Sequence, residues 1–222
     1  VSSVVSAILA VHNGSRYVPR ALESVLGQTR PPDEVIVVDD GSDDGSDEIA
    51  RGFRGVTCLR IDRAGQGAAL NRGVAASRGT HLAFLDADDE WLARKLELQL
   101  ACFESDGTLD AVFGHVEQLV EIGDGDARSL GPSIAHLPGA MLITRAALLR
   151  GGPFAADLRL GMVVEWYARA KDGGLRELVL PDVVYRRRIH GANMGIVHAA
   201  ERAEYADMLK RVLDRRRAEG DA

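Results

Sequence analysis

THLAFLDADD, residues 80–89, is the stretch on which the reading of the whole chain turns. Residues 81–85 are apolar or β-capable. An almost unbroken apolar run of this length reads as a strand buried on both faces, as in a parallel sheet flanked by helices. Three carboxylates, Asp86, Asp88 and Asp89, follow at once. Acids do not belong inside such a strand, so they are expected at its carboxyl end, where open α/β sheets place their ligand crevices. Asp86 and Asp88 stand two residues apart and can converge on one cation from a tight turn. Hard oxygen ligands suit Mg²⁺ or Mn²⁺, ions that keep coordination sites for substrate phosphates. Taken alone, an acidic turn capping the next helix is the commoner explanation of such a motif. The neighbouring strands decide between the two.

Working outward toward the N-terminus, residues 4–11 read as a first strand ending in His12-Asn13-Gly14. Residues 34–38 (EVIVV) read as a second, ending in Asp39-Asp40-Gly41-Ser42, and 56–61 as a third. Helices are expected over 17–28, with Val18, Leu22, Val25 and Leu26 inward; from Gly45-Ser46, with Ile49 and Phe53 inward; and over 66–77, stopped by Gly79. Strictly alternating strands and helices predict a parallel sheet of βαβ units. Carboxyl ends of parallel strands share one edge, so Asn13, Asp39 and Asp40, and the acidic turn of Asp86, Asp88 and Asp89 line one crevice. Asp39 or Asp40 can accept hydrogen bonds from a base N–H or from ribose hydroxyls, although DDGS alone is usually a capping turn. Gly65-Gln66-Gly67 opens the third helix with Asp86 about 20 residues on, a partial dinucleotide fingerprint. The third glycine position holds Leu70, and the motif follows the third strand rather than the first. A tight turn is the simpler role, with Asn71 and Arg72 on that helix facing the crevice.

Toward the C-terminus, a helix is expected over 91–103, a strand over 110–120, and a Gly- and Asp-rich loop over 122–132. A strand at 140–143, helices at 145–150 and 163–171, two short strands at 175–180 and 183–188 around Pro181, and a long charged helix over 197–217 complete the pattern. The basic run at 215–217 reads as a solvated helix end.

The 222 residues, 46% of them hydrophobic, fit one domain with a substantial core. A net charge of −6 argues against a nucleic-acid partner. Cys58 and Cys102 lie far apart and make neither a disulfide framework nor a metal pair, which points to a reducing, cytoplasmic setting. The N-terminus lacks a basic stretch before its apolar run and reads as a strand rather than a signal peptide. No apolar stretch reaches about 18 residues, the length needed to span a bilayer. The chain begins with Val1, so it can be a piece of a longer protein.

HNGSRYVPRALESVLGQT (12–29), EVIVVDDGSDDGS (34–46) and GQGAALNRGVAASRGTHLAFLDADDEW (65–91) together resemble the family 2 glycosyltransferases of the GT-A fold. A weaker similarity continues through PGAMLITRAALLRGGPF (138–154), LRLGMVVEWYARAKDGGL (158–175) and VVYRRRIHGANMG (183–195). The resemblance implies an α/β domain with a Rossmann-type, mostly parallel sheet. Residues 1–105 would form its nucleotide-sugar-binding half, and 106–222 an acceptor-binding half with a long terminal helix. It implies a metal-dependent, inverting hexosyl transfer from a UDP- or GDP-linked sugar. Asp39 would contact the base, Asp86 the ribose or the metal, and Asp88 the cation bridging the diphosphate. Ala10, Val11, Asn13, Asp40, Asn71, Ala87 and Arg188 would complete the nucleotide-sugar site.

The family's base is an Asp or Glu at the start of a helix on the acceptor side. The chain has Met162-Val163 where an acidic pair is usual, so Glu165 is the nearest candidate, followed by Asp157. His190 and Asn193, beside the arginines at 186–188, are candidates to complete the cation's coordination or to contact the diphosphate. Trp166 reads as core rather than as a sugar platform. The acceptor (glycan, lipid, peptide or small molecule), peripheral membrane association and oligomeric state stay open. So do two rival functions: a nucleotide-binding module without chemistry, and an NAD-dependent oxidoreductase.

Overall fold

Neighbouring side chains on the apolar strands point into opposite cores. In the computed structural model, which describes residues 3–122, 126–191, 193 and 210–215, β1 (Val5–Val11) sends Val5, Ala7, Leu9 and Val11 to one side and Ile8 to the other. Later in the chain, β4 (His81–Asp86) sends Ala83 and Leu85 one way and Leu82 and Phe84 the other. Such period-two division with apolar residues on both faces requires helices on both sides. The first face is covered by α1 (Val18–Leu26), α2 (Ser46–Arg51) and α4 (Lys95–Ser105). The second is covered by α3 (Gln66–Ala76), α5 (Arg145–Gly151) and α6 (Met162–Asp172).

The remaining strands are β2 (Glu34–Asp40), β3 (Val56–Ile61), β5 (Glu90–Trp91), β6 (Ala111–Glu121), β7 (Ala127–Ser133), β8 (Met141–Thr144) and β9 (Glu177–Ile189). Among the described residues they form one sheet in the order β3-β2-β1-β4-β8-β6-β9-β5, with β7 paired to β6. The first four strands are mutually parallel, and β9 runs parallel to β6. β8 runs against both its neighbours, so the chain enters it from the edge where β4 and β6 end. The expected α/β sheet is therefore present, parallel in its first half and mixed in its second.

Several expected elements differ. The helix placed from residue 91 starts only at Lys95, because Glu90 and Trp91 pair with β9. The Trp91 indole N–H is meanwhile spent on the Phe84 carbonyl, 3.2 Å away. The loop placed at 122–132 contains β7, an exposed edge strand whose low apolar content hid it; residues 123–125 lie outside the described residues. The two strands around Pro181 are one strand, whose register against β6 shifts after Phe113 and leaves room for a residue with no N–H to donate. Leu26 is more exposed than its helical spacing suggested. Of the helix over 197–217, residues 210–215 are helical and the rest lies outside the described residues. Cys58 and Cys102 are separate free thiols, and no described helix is long and apolar enough to cross a membrane.

A buried polar chain ties α4 to the sheet. The Lys95 ammonium nitrogen, fully buried, donates to Gln99 Oε1 at 2.6 Å and to the Met141 carbonyl at 3.0 Å. Burial pushes its pKa well below the usual lysine range. Gln99 Nε2 in turn donates to the carbonyls of Val112 and Ala140, both at 2.8 Å. Each link satisfies a group that would otherwise be desolvated without a partner. Gln99→Leu keeps the volume but leaves Lys95 with the Met141 carbonyl alone and two carbonyls without their donor, and is expected to cost about 2–4 kcal/mol in urea denaturation. A loss near zero would show that the chain does not hold α4 in place.

Candidate active site at the strand tips

The register fixes what meets at the crevice edge. Ala10 pairs with Asp86 on β4, and Val11 pairs with Asp39 on β2. The side chains of Ala10 and Val11 pack into the cores, so only their backbone is available to the crevice. Asn13 takes a left-handed φ of 51°, which asparagine tolerates better than most residues. Its N–H donates to Ser42 Oγ at 2.9 Å, and its Oδ1 accepts from the Asp43 N–H at 3.0 Å. Gly14 N–H donates to Ser46 Oγ, and Ser15 N–H to Asp44. The loops after β1 and β2 are thus stitched into one rim.

The two carboxylates expected to read a nucleotide are already engaged within the protein. Asp39 is fully buried, pairs with Arg60 at 3.1 Å and accepts the Ser42 N–H at 3.3 Å. Asp40, also buried, accepts the N–H groups of Ala64 and Gly65 at 2.6 and 2.9 Å and is bridged by Arg63. It fixes the turn into α3. Asn71 clamps the backbone of Phe154 in both directions, at 2.8 and 2.9 Å, rather than standing free in the crevice. A Cβ on Gly67 would lie 2.9 Å from the Ala155 carbonyl, so the glycine serves a close crossing of α3 by the 155–156 segment.

The acidic turn is different. Asp86 accepts from Gln66 Nε2 at 2.6 Å; burial, with Asp88 beside it, pushes its carboxyl up to about 6, against the opposing pull of Arg187 and Gln66. The Asp89 N–H closes the turn on the Asp86 carbonyl at 3.1 Å. Its carboxylate is buried, accepting the Tyr185 O–H and, at 2.6 Å, the Arg188 N–H. Burial, followed by the charges of Asp88 and Asp86, drives Asp89 well above the usual carboxylate range. Tyr185 can reach it because residue 139 is glycine: a Cβ there would sit 2.2 Å from the tyrosine ring.

Asp88, just beyond Ala87, meets His190 Nε2 at 3.1 Å and Asn193 Nδ2 at 3.0 Å. The His190 ring stacks on Tyr17, 4.8 Å between centroids. The structure therefore brings Asp88, His190 and Asn193 together, with Asp86 near enough to feel the charge of Asp88. Arg188 it turns away, onto Glu90 at 2.6 Å and Glu121 at 3.4 Å. Gln66, Tyr17 and Tyr185 were not anticipated; only their places just after strand tips or on the last strand could have marked them.

A small set of oxygen donors with one imidazole fits a hard divalent cation that takes the rest of its ligands from a diphosphate. Among the described residues no three His, Cys, Asp or Glu groups form a ready-made metal site. Glu165, the candidate base, is buried, and both its oxygens bind Arg169, at 2.8 and 2.9 Å; Arg215 adds a contact at 3.3 Å. Arg169 also holds the carbonyls of Gly151 and Pro153, so Glu165 belongs to a clamp joining α5 to α6. Asp157 is exposed and paired with Arg211 at 2.7 Å.

The Glycosyl transferase family 2 model matches residues 6–146, more than half of the chain, and the chain belongs to that family. An uncharacterized glycosyltransferase of Nostoc sp. is 35% identical over 139 residues, covering 60% of this chain and 42% of that protein. Glycosyltransferase AglE of Haloferax volcanii is 32% identical over 200 residues, covering 81% of this chain and 65% of that one. The chain thus spans less than two thirds of the length of either relative. The crystal structure of S. aureus TarS 1–349 in complex with UDP matches with a TM-score of 0.73 at 20% identity, over 94% of this chain and 64% of that one. That likeness is one of fold, and it is the GT-A-like fold expected from the motifs.

The stitched rim carries a pH signature. Burial raises Asp44, but hydrogen bonds from Ser46 and Ser15 outweigh it and hold the carboxyl at about 2. A carboxyl depressed from 3.8 contributes stability above that value and loses it as pH falls toward about 2. Asp44→Ala is expected to cost about 0.5–2 kcal/mol at neutral pH, the range of a lost helix-end cap. Denaturant melts at about pH 7 and about pH 3 should show that difference narrowing. An undiminished gap in acid would contradict the assignment.

Proposed function

We propose that this chain is the catalytic unit of a glycosyltransferase that moves a sugar from a UDP- or GDP-linked donor to an acceptor nucleophile, inverting the anomeric centre. The observation that carries this reading is the convergence on Asp88. A carboxylate at the tip of β4 meets His190 and Asn193 at 3.1 and 3.0 Å, over the edge that Ala10, Asn13 and the β2 loop complete. Family membership supports it, and so does the UDP bound in a protein of the same fold.

Asp88, Asp86 and His190 are the groups that would hold Mn²⁺ or Mg²⁺, which when bound supplies Lewis-acid charge to the departing diphosphate. Gln66 orients the Asp86 carboxylate, and Tyr17 sets the plane of His190. Asp89 fixes the backbone at Arg188 and so fixes where His190 crosses the turn. Arg187, close enough to Asp86 to favour its charged form, can share the negative charge of the leaving group. An in-line displacement needs a base on the far face of the sugar. Glu165 fills that role only by exchanging Arg169 and Arg215 for the acceptor hydroxyl. Its engagement favours one second reading, a module that binds the nucleotide without transferring anything.

Thermal-shift screening of UDP- and GDP-sugars with and without Mn²⁺ separates these readings. A donor at 100 times its dissociation constant should raise the melting temperature by about 5–10 °C, and only with the ion. Asp88→Ala should abolish that rise. Glu165→Gln should keep it and lower turnover by about 10²–10⁴-fold. Full turnover in the Glu165 variant would place the base elsewhere. Binding with no transfer by the unaltered chain, across a wide acceptor panel, would establish the module, and no stabilisation by any nucleotide sugar would overturn both readings.

A further inference from the structure

The start of α1, the residues after β4 and the ends of β6 and β9 enclose a cavity of about 170 Å³ that opens beside Asp88. Its wall alternates guanidinium and carboxylate groups. Arg20 binds Glu90 at 2.7 Å, Arg188 binds Glu90 at 2.6 Å and Glu121 at 3.4 Å, and Arg16 lies 3.9 Å from Glu121. Arg16 and Arg20 keep 67% and 60% of their side chains exposed, so they retain donors for a ligand. The Nε of Arg188 is buried with no hydrogen-bond partner. Ala127, the Tyr17 ring and the arginine stems supply its apolar surface.

Guanidinium groups only donate hydrogen bonds, and ionised carboxylates only accept them. A ligand that satisfies both along one wall must carry groups that do both, and the hydroxyl is that group. Charge excludes the obvious competitors. Asp88 is assigned to the cation and Asp89 is turned onto the Tyr185 O–H and the Arg188 N–H, so Glu90, Glu121 and Asp126 match the three guanidiniums charge for charge. A phosphate or carboxylate would find no net attraction and would compete with acids already bound to the guanidiniums.

We infer that this cavity is the acceptor pocket and that it takes a neutral, polyhydroxylated acceptor, a glycan or polyol, rather than an anionic one. The inference rests on the transferase reading above, since Asp88 is common to the cavity and to the site assigned to the donor.

Saturation-transfer NMR on the intact chain tests it, with neutral methyl hexosides and their disaccharides against glucuronate and glucose 6-phosphate. Melting curves with UDP and Mn²⁺ run in parallel on the same samples. Neutral glycosides should bind and the two anions should not. Arg20→Ala should weaken glycoside binding about tenfold while leaving the UDP-dependent shift intact. Glu121→Gln, which leaves Arg16 unopposed, should admit glucuronate. Equal or tighter binding of the anions by the unaltered chain would overturn the inference, as would glycoside signals untouched by Arg20→Ala. UDP binding with no neutral glycoside bound sinks the pocket and leaves the transferase reading standing. Glycoside binding without any UDP shift removes the acceptor role. Silence from both sets of ligands removes pocket and transferase reading together.

Discussion

The hydrogen bonds accepted by Asp89 hold the two halves of the sheet in one arrangement. Its carboxylate lies at the end of β4, and both donors, the Tyr185 O–H and the Arg188 N–H, come from β9 at the far side of the mixed half. The Tyr185 ring presses on Gly139, where the chain turns into β8. One buried acid therefore pins three crossings: the acidic turn, the end of β9 and the entry to β8. Its two donors offset the burial and the like charges of Asp86 and Asp88 that drive it well above the ordinary carboxylate range. Once the backbone at Arg188 is set, His190 and Asn193 have little choice but to fall on Asp88.

The acids near the crevice divide by what they touch. Asp39, Asp40 and Asp44 accept backbone N–H groups and guanidiniums within the first half, and they shape the rim. Asp86 and Asp88 touch only side chains, Gln66 on one and His190 with Asn193 on the other. Side-chain partners can swing aside for an ion or a phosphate at the cost of a rotamer, whereas backbone partners cannot. Adjacency does not decide the class, since Asp89, next to Asp88, accepts the Arg188 N–H. Partner type does.

The first four strands were legible because each is an apolar run closed by polar turn residues, and parallel pairing follows from the intervening helices. Residues 90–189 were harder to read. β7 carries almost no apolar signal, β5 is two residues long, and Pro181 splits what the pairing with β6 joins. At the site, the meeting of Asp88 with His190 and Asn193 could be anticipated from motif content. The engagement of Asp39, Asp40, Asn71 and Glu165 could not. Their partners, Arg60, Ala64, Phe154 and Arg169, are set by loop paths and rotamers on which composition and periodicity are silent.

Asp40 bears on how alanine scanning of such a crevice should be interpreted. It shapes the turn into α3 by holding the Ala64 and Gly65 amides from within the fold, so replacing it would loosen the floor under Gln66 and, through Gln66, the orientation of Asp86. An inactive Asp40 variant would imitate the loss of a substrate contact while having lost a scaffold. Among the carboxylates of this edge, a mutagenic phenotype becomes chemical evidence only when the melting curve of the variant overlays that of the parent.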